Sequence, residues 1–314
     1  MRAVDADHTA NEAADQAIAV LGDLAQRNVP IGPMTTYRVG GAADVFVRAR
    51  SIGDLQKVSQ ACHASGLPVL VIGRGSNLLV ADGGYRGVAV SLLDIATDVT
   101  IDEETSVVEA GSAVLLPVLA RQLATAGLAG FEWAVGVPGS IGGAVRMNAG
   151  GHGSDISESL IDTRIVDLAD GTDRIVPADG LGLRFRGSGL RPDQVVVSAR
   201  LQLAPGDPAE AKAALSEIVA WRRANQPGGQ NAGSVFVNPV PGEVSAGQLV
   251  DEIGLRGMRH GSATVSDKHA NFIQADDGGR ADDVRELMRV VAAQVEAQTG
   301  HALRSEIRLI GFDS

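Results

Sequence analysis

The segments best suited to chemistry are rich in glycine or centred on a single polar residue. Residues 136–153 read G-V-P-G-S-I-G-G-A-V-R-M-N-A-G-G-H-G, with seven glycines and neither an acidic residue nor a lysine. Glycine lets the main chain approach another molecule closely, and consecutive exposed N–H groups bind phosphate without a cationic side chain. Apolar residues such as Ile141 and Val145 are unusual in a flexible linker. The segment therefore indicates a ligand-binding loop, with a plain surface loop as the alternative.

A second glycine motif reads G-R-G-S-N at residues 73–77 and directly follows a predicted strand at residues 67–72. The dinucleotide fingerprint G-x-G-x-x-G would need a glycine where this chain has Leu78. The Rossmann interpretation therefore lacks the glycine that permits close helix–strand packing. A tight turn around a pyrophosphate and an ordinary turn both remain open.

Three isolated polar residues could take part in proton transfer or charge stabilisation. Ser234 lies among small residues, and no G-x-S-x-G elbow surrounds it, which disfavours a hydrolase nucleophile but allows a proton donor. Arg186 carries a permanent charge that could stabilise an oxyanion. Glu306 alternates with arginines in a predicted strand at residues 303–310. On local pattern alone, each also fits a structural role: a turn serine, a solvent-facing arginine and a solvated strand face.

Composition excludes several classes of protein. The chain has 314 residues and a net charge of −11, which argues against a nucleic-acid partner. Its one cysteine, Cys62, excludes an intramolecular disulfide, and no histidine pair has metal-binding spacing, so we expect no metal site. The start of the chain lacks a signal peptide, and no apolar run reaches the roughly 18 residues of a membrane span. We therefore expect a soluble, cytoplasmic protein.

Periodicity predicts alternating helices and strands. A β-α-β unit is predicted over residues 44–72, with Ser51 and Asp54 resembling a capping box. Further helices are predicted at residues 11–26 and 115–126, and strands at 87–92, 99–102, 106–110, 163–168 and 194–203. Asp207 and Ser245 are candidate N-caps of later helices, and Gly300 suits the end of the last one.

Taken together and in this order, the motifs resemble the UDP-N-acetylenolpyruvoylglucosamine reductase (MurB) family. The resemblance extends from about residue 25 to residue 311. The matching elements are T-T-Y-R-V-G-G at residues 35–41, G-R-G-S-N-L-L-V at 73–80, the glycine-rich residues 136–153, F-R-G-S at 185–188, G-S-V-F-V-N-P at 233–239, K-H-A-N-F at 268–272 and S-E-I at 305–307.

The resemblance implies an α+β fold. Its FAD-binding part is of the vanillyl-alcohol-oxidase/PCMH type, in two subdomains at residues 1–92 and 93–204. A C-terminal α+β substrate-binding domain is expected at residues 205–302, followed by a C-terminal strand, residues 303–314, that bears the catalytic glutamate. Non-covalently bound FAD, NADPH as reductant and a UDP-sugar substrate are the expected cofactor and partners. We expect a monomer without a membrane or nucleic-acid partner.

The implied reaction belongs to peptidoglycan precursor synthesis. Hydride passes from NADPH through FAD to C3 of the enolpyruvyl ether of UDP-N-acetylglucosamine, and a proton added at C2 gives UDP-N-acetylmuramate. Family matching assigns Ser234 as the proton donor and Arg186 and Glu306 as the catalytic groups around the carboxylate. It assigns substrate binding to Arg222, Asn238, Lys268 and His269. The implied cofactor-binding residues are Tyr37, Arg38, Gly73, Arg74, Gly75, Ser76, Asn77, Leu78, Gly136, Val137, Pro138, Gly139, Ser140, Gly142, Gly143, Ala144, Asn148, Ala149 and Gly150.

Two residues depart from the family pattern. Phe185 stands where a tyrosine is common, and Val237 stands where a lysine is common, so Lys268 or Arg223 would have to supply that charge. Two alternatives remain at this stage. One is another oxidase or dehydrogenase of the same FAD-binding fold that acts on a hydroxy acid or alcohol. The other is a catalytically silent flavin- or nucleotide-binding protein, which the intact Arg186, Ser234 and Glu306 disfavour.

Overall fold

The helices and strands follow one another in mixed order along the chain. The computed structural model describes residues 2–312, and side-chain burial from residue 11 onward. Met1, Asp313 and Ser314, which the first and last predicted domains include, lie outside the described residues. The helices are α1 (Arg2–Leu21), α2 (Ile52–Ser65), α3 (Leu116–Thr125), α4 (Ile141–Met147), α5 (Pro208–Asn225), α6 (Ala246–Glu252) and α7 (Ala281–Thr299).

The strands are short, and most belong to antiparallel sheets. They are β1 (Ala25–Pro30), β2 (Ala42–Arg48), β3 (Val69–Ile72), β4 (Leu78–Val80), β5 (Tyr85–Ser91), β6 (Val99–Asp102), β7 (Val107–Gly111), β8 (Leu128–Ala129), β9 (Gly150–Gly151), β10 (Ser154–Asp155), β11 (Leu160–Asp167), β12 (Asp173–Pro177), β13 (Gln194–Gln202), β14 (Ala204–Pro205), β15 (Arg259–His260), β16 (Ala263–Val265), β17 (Ile273–Ala275) and β18 (Arg308–Ile310).

The chain forms two compact units, each assembled from three separate stretches of sequence. The first unit comprises Met1–Val29, Asp44–Arg74 and Arg86–Trp221, and the second comprises Pro30–Ala43, Gly75–Tyr85 and Arg222–Ser314. Sequence reasoning expected consecutive segments because motifs are read along the chain, whereas compact units depend on contacts between distant residues. The predicted boundaries at residues 92, 204 and 302 remain a prediction.

The strands and the helix of the predicted β-α-β unit are present in the first unit as β2, α2 and β3, and β5 lies between the two strands in the sheet. This four-stranded sheet has the order β1-β2-β5-β3, and β3 runs parallel to β5, with Val69 opposite Val88. The connecting helix α2 begins as predicted, because the Ser51 hydroxyl accepts a hydrogen bond from the Asp54 N–H at 3.1 Å. Apolar residues of α1, α2 and the sheet form one shared core. Cys62 on α2 is half-buried, and burial raises the pKa of its thiol to about 11.

The glycine-rich segment packs, through its helix α4, against a second sheet in the first unit. The order of this sheet is β12-β11-β13-β7-β6, and every neighbouring pair is antiparallel. Helices α3 and α4 pack against it around a core that includes Phe131 and Trp133. Residues 136–153 are therefore more regular than a loop, because they contain α4 and the start of the β9–β10 hairpin.

The second unit is built on a small antiparallel sheet. Its order is β15-β16-β17, and the apolar faces of α6 and α7 belong to the core that covers it. The predicted caps are present: the Ser245 hydroxyl accepts from the Gln248 N–H at 3.4 Å, and Gly300 ends α7 with φ +75°. Strand β18 pairs in parallel with β4, with Arg308 opposite Leu78. This pairing joins the C-terminal stretch to the residues that follow the second glycine motif.

Two predicted elements are wrong in extent. Helix α1 ends at Leu21 rather than at residue 26, and strand β1 follows it. The strand predicted for residues 303–310 is regular only from Arg308 to Ile310. Its first half pairs instead with residues 235–237, since Glu306 N donates to the Val235 carbonyl at 2.8 Å and Val237 N donates to the Arg304 carbonyl at 2.9 Å. Within residues 2–312, no helix is long and apolar enough to cross a membrane.

Candidate active site

The backbone of the glycine-rich segment is held firmly on one side and open on another. Gly142 N donates to the Ser112 carbonyl at 3.0 Å, and Ile141 N donates to the Val114 carbonyl at 3.0 Å. A Cβ at Gly142 would lie 2.9 Å from Cβ of Ser112, so only glycine fits there. A Cβ at Gly143, by contrast, would meet nothing within 4 Å. The segment thus presents ordered main chain that a ligand can approach.

Asn148 closes α4 and connects the glycine-rich segment to the turn that bears Arg186. Asn148 is buried and adopts a left-handed conformation with φ +42°. Its amide donates to Asp155 Oδ2 at 3.1 Å and to the Arg184 carbonyl at 3.3 Å, and its Oδ1 accepts from Ser157 N at 3.3 Å. The Asn148 side chain therefore holds the local structure, and a cofactor-binding role for this residue remains a prediction.

Arg186 occupies the tip of a tight turn in the first unit. Arg184 and Gly187 exchange two backbone hydrogen bonds, of 2.9 and 3.0 Å, which leaves Phe185 and Arg186 at the tip. Arg186 has φ +55°, a strained conformation for a residue with a side chain. Its guanidinium carbon lies 5.3 Å from the centre of the Phe185 ring, within cation–π range. The turn therefore presents a permanent positive charge supported by an aromatic ring.

The second glycine motif and the T-T-Y-R motif meet inside the second unit. Gly75 has φ +62°, and a Cβ there would lie 2.6 Å from the Met34 carbonyl oxygen. Thr36 N donates to the Gly75 carbonyl at 3.2 Å. Two motifs that are about 35 residues apart in the printed sequence are therefore adjacent, and glycine is required because the chains approach so closely.

Tyr37 is fully buried at the centre of this contact. Its hydroxyl has no hydrogen-bond partner within the described part of the chain, and the same holds for the Thr36 hydroxyl. Burial raises the pKa of Tyr37 far above its ordinary value. Leaving a buried hydroxyl unsatisfied costs free energy, so a bound group that supplied a partner would be favoured here. Arg38 follows with φ +57° and is exposed.

Ser234 and Glu306 lie on neighbouring segments of the second unit. Glu306 N donates to the Val235 carbonyl at 2.8 Å, and Phe236 and Ser305 form an isolated antiparallel bridge. Ser234 is half-buried and follows Gly233, whose φ is +79°. The structure thus places the backbone segments of two of the three predicted catalytic residues side by side, whereas Arg186 belongs to the first unit.

Asn77 links the second glycine motif to the Glu306 segment. Its side-chain amide donates to the Glu306 carbonyl at 3.0 Å, and its own carbonyl accepts from Arg308 N at 3.0 Å. Leu78 is buried in β4, so its side chain packs in the protein interior. In this unit, the predicted cofactor motif and a predicted catalytic segment form one hydrogen-bonded structure.

The predicted substrate-binding residues all lie in the second unit, each with a protein contact. Asn238 Oδ1 accepts from Ala246 N at 3.1 Å and so supports the start of α6. The Lys268 ammonium donates to the carbonyl of Arg223. Arg222 Nε donates to Gln226 Oε1 at 2.7 Å, and burial lowers the pKa of its guanidinium. Val237, where the family commonly has a lysine, is buried.

His269 is held as a neutral ring. Its Nδ1 accepts a hydrogen bond from Asn271 N at 3.2 Å, which places the ring proton on Nε2. Burial, followed by the positive charge of Arg256, lowers the pKa of His269 below its ordinary value. The ring also packs against Phe272, with centroids 4.7 Å apart. His269 could therefore donate a hydrogen bond to a substrate through its Nε2–H.

Sequence reasoning missed two buried polar groups in the first unit. The Ser112 hydroxyl and the Trp133 Nε1–H are both buried, and neither has a hydrogen-bond partner among residues 2–312. Ser112 also carries the carbonyl that holds Gly142. Their positions are the only signal in the sequence: Ser112 lies just before a predicted helix, and Trp133 lies just before the glycine-rich segment. Within the same described range, no group of three or more His, Cys, Asp or Glu residues could hold a metal ion.

Comparison with protein families first defines the class of protein. A family described as an FAD binding domain matches residues 43–175. A second, described as UDP-N-acetylenolpyruvoylglucosamine reductase, C-terminal domain, matches residues 225–310. The α+β architecture and the glycine motifs agree with the first match, so the chain is an FAD-binding protein of the type the sequence predicted.

Individual relatives then define the family. The chain is 40% identical over 289 residues to UDP-N-acetylenolpyruvoylglucosamine reductase of Synechococcus sp. (strain RCC307), which covers 91% of this chain and 94% of the relative. It is 42% identical over 286 residues to the reductase of Heliobacterium modesticaldum, with 90% and 89% covered. A crystal structure of the Thermus caldophilus reductase matches with a TM-score of 0.76 at 32% identity, covering 90% of this chain and 98% of that one. The chain belongs to the UDP-N-acetylenolpyruvoylglucosamine reductase family.

Proposed function

We propose that this protein reduces the enolpyruvyl ether of UDP-N-acetylglucosamine to UDP-N-acetylmuramate, with FAD as cofactor and NADPH as reductant, in peptidoglycan precursor synthesis. Family membership over nine-tenths of the chain supports the activity. The observation that carries the proposal is the 2.8 Å hydrogen bond from Glu306 N to the Val235 carbonyl. It brings the segment of the expected proton donor next to the segment of the expected acid.

The residues present fit a bound FAD. In the first unit, Ser112 and Trp133 each bury a polar group that lacks a protein partner among the described residues, and Gly143 leaves open space above ordered backbone. In the second unit, taken by itself, the buried Tyr37 hydroxyl likewise has no partner among the described residues. We propose that the two glycine motifs hold the pyrophosphate through backbone N–H groups and that the predicted cofactor-binding residues around them complete the site. When bound, FAD supplies the acceptance and delivery of hydride, while the protein supplies geometry and charge.

Ser234 is proposed to donate the proton that C2 of the substrate receives. A serine hydroxyl is a weak acid in water, but the carbon it serves is strongly basic once hydride has reached C3. Position therefore matters more than acidity. The half-buried place of Ser234, directly after a glycine in a left-handed conformation, leaves little bulk before the hydroxyl.

Arg186 and Glu306 are proposed to flank the substrate carboxylate. Negative charge grows on that carboxylate during reduction. A guanidinium can stabilise this charge because it stays protonated. The strained turn fixes the backbone of Arg186, and Phe185 supports the guanidinium from one face. The phenylalanine thus keeps a packing role even though it lacks the hydroxyl of the more common tyrosine.

We also propose the remaining assignments of the sequence analysis. Arg222, Asn238, Lys268 and His269 contact the UDP-sugar, and Lys268 supplies the positive charge that Val237 does not. Residues 205–302 form the substrate-binding domain. The protein acts as a cytoplasmic monomer without a nucleic-acid partner, in keeping with its net charge of −11.

The visible spectrum of the purified protein tests this function. Under anaerobic conditions, NADPH should bleach the flavin absorbance, and the enolpyruvyl UDP-sugar should restore it. UDP-N-acetylglucosamine, which lacks the enolpyruvyl group, is the matched control and should leave the flavin bleached. The proposal would be contradicted if the flavin absorbance recovered with the oxidised product of a simple alcohol or hydroxy acid and did not recover with the enolpyruvyl compound.

A further inference from the structure

Asn271 is buried beside the segment that carries Ser234 and binds its backbone in three places. Phe236 N donates to Asn271 Oδ1 at 3.0 Å, and Asn271 Nδ2 donates to the Phe236 carbonyl at 2.8 Å. Val235 N donates to the Asn271 carbonyl at 2.8 Å. The amide side chain thus satisfies both backbone groups of a buried residue that is two positions after Ser234.

The stretch around Glu306 holds the same segment through other hydrogen bonds. Glu306 N donates to the Val235 carbonyl at 2.8 Å, and Val237 N donates to the Arg304 carbonyl at 2.9 Å. The segment that follows Ser234 is therefore fixed between the Asn271 and Glu306 stretches. On the Asn271 side a side chain makes part of this connection, so a single substitution there can loosen it.

The orientation of Asn271 is itself determined by its surroundings. The residue is 4% exposed, and its N–H donates to His269 Nδ1 at 3.2 Å. Removing the amide would leave the N–H and the carbonyl of Phe236 buried without their partners, which the backbone can relieve only by shifting. Such a shift would displace Ser234, because the two residues are separated only by Val235.

We propose that Asn271 is a positioning residue for proton donation by Ser234, an inference that rests on the proposed function. Asn271 does not touch the substrate; it sets the place of the hydroxyl that does. Its contribution should therefore be confined to the half-reaction in which the proton is transferred. Hydride transfer from NADPH to the flavin does not use Ser234 and should not depend on Asn271.

The test is anaerobic stopped-flow measurement of both half-reactions on the flavin-loaded protein. In Asn271→Ala, flavin reduction by NADPH should stay within about 2-fold of the wild-type rate. Reoxidation by the enolpyruvyl UDP-sugar should slow by about 10- to 100-fold, the loss expected for a misplacement on the order of 1 Å. The solvent deuterium isotope effect on reoxidation should rise, because proton transfer becomes slower relative to hydride transfer.

Ser262→Ala is the matched control. The Ser262 hydroxyl donates to Asp283 Oδ2 at 2.7 Å and accepts from Arg280 N at 2.8 Å, in a separate network of the same unit. Ser262→Ala therefore also removes a hydroxyl that donates and accepts, at a half-buried position, yet both half-reactions should keep their wild-type rates. Asn271→Asp is the milder variant in its protonated form, which burial favours, because the carboxylic acid can still accept from Phe236 N and donate to the Phe236 carbonyl. Its reoxidation rate should lie between those of wild type and Asn271→Ala.

A double-mutant cycle with Ser234→Ala decides whether Asn271 acts through the serine. In the Ser234→Ala background, Asn271→Ala should change reoxidation by less than about 2-fold, because the two residues act as one unit. A full 10- to 100-fold loss in that background, or equal slowing of both half-reactions, or loss of flavin from both Asn271 variants, would overturn the proposal. A wild-type protein that the enolpyruvyl substrate does not reoxidise would instead refute the proposed function.

Discussion

Replacing Tyr37 with phenylalanine should affect the flavin-free and flavin-bound proteins in opposite directions. Tyr37 is 0% exposed, and its hydroxyl lacks a partner within the described residues. If FAD supplies that partner, the hydroxyl is a cost in the flavin-free protein and a gain in the complex. Tyr37→Phe removes both effects, because the ring and its packing are retained.

The magnitudes follow from the burial of this one hydroxyl. An unsatisfied buried polar group costs about 1–3 kcal/mol, so the free energy of unfolding of flavin-free Tyr37→Phe should rise by up to that amount. A net hydrogen bond in the complex contributes about 0.5–1.5 kcal/mol, and any stabilisation of the flavin-free variant adds to the loss of affinity, so the dissociation constant of FAD should rise by at least about 2- to 12-fold. Water that enters the flavin-free site would reduce the stabilisation of the free variant and bring the loss of affinity down to this lower limit.

The assay combines urea unfolding of the flavin-stripped protein with titration of FAD by fluorescence quenching. Thr163→Val is the matched control, because Thr163 is also 0% exposed but its hydroxyl donates to the Ser198 carbonyl at 2.6 Å. That variant should be less stable than wild type and bind FAD normally. A Tyr37→Phe protein that is less stable without flavin, or that binds FAD as tightly as wild type does, would refute the reasoning.

Three further changes test other parts of the structure. Ser234→Ala should leave flavin reduction by NADPH unchanged and slow reoxidation by the enolpyruvyl UDP-sugar to a small residual rate in stopped-flow experiments; reoxidation at the wild-type rate would exclude the proton-donor role. Gly75→Ala should lower the free energy of unfolding by about 1–2 kcal/mol or more, since φ is +62° and the new Cβ would lie 2.6 Å from a carbonyl oxygen. Gly83→Ala, where a Cβ meets nothing within 4 Å, should be near neutral in the same urea assay. Burial raises the pKa of Asp167, but hydrogen bonds from neighbouring amide and guanidinium side chains outweigh it and hold that pKa below the ordinary 3.8. A carboxylate whose pKa is lowered in the folded state stabilises the fold above pH 3.8 and loses this contribution as the pH falls further. The urea midpoints of wild type and Asp167→Asn should therefore converge in acid. A difference between the midpoints that stays constant with pH would contradict this role of Asp167.

Local signals in the sequence were enough to predict the helix boundaries that side chains cap. Ser51 and Ser245 each accept from the N–H three residues later, as their spacing indicated. Gly300 ends α7 in the left-handed conformation that glycine favours. These interactions span a single helical turn, so the residues that make them are visible together in the sequence.

Pairings between distant residues could not be predicted in this way. Arg308 pairs with Leu78 across 230 residues of sequence, and Asn77 donates to the Glu306 carbonyl from a comparable distance. The motifs that contain these residues were found, but nothing in their spacing shows that they share one structure. Asn271 was missed for a related reason, because burial and two backbone hydrogen bonds give an asparagine no local signature.

Backbone strain connects the sequence motifs to the structural site. Seven non-glycine residues of the described chain have positive φ, and four of them lie in motifs that the sequence analysis selected: Arg38, Asn148, His152 and Arg186. Such conformations cost on the order of 1–3 kcal/mol, so they persist only where the surroundings determine them. Asn148 shows how this works here: its side chain closes α4 and binds the carbonyl of Arg184, which begins the turn that strains Arg186. The Asn148 side chain thus contacts the turn that contains Arg186, and both residues belong to the site that we propose.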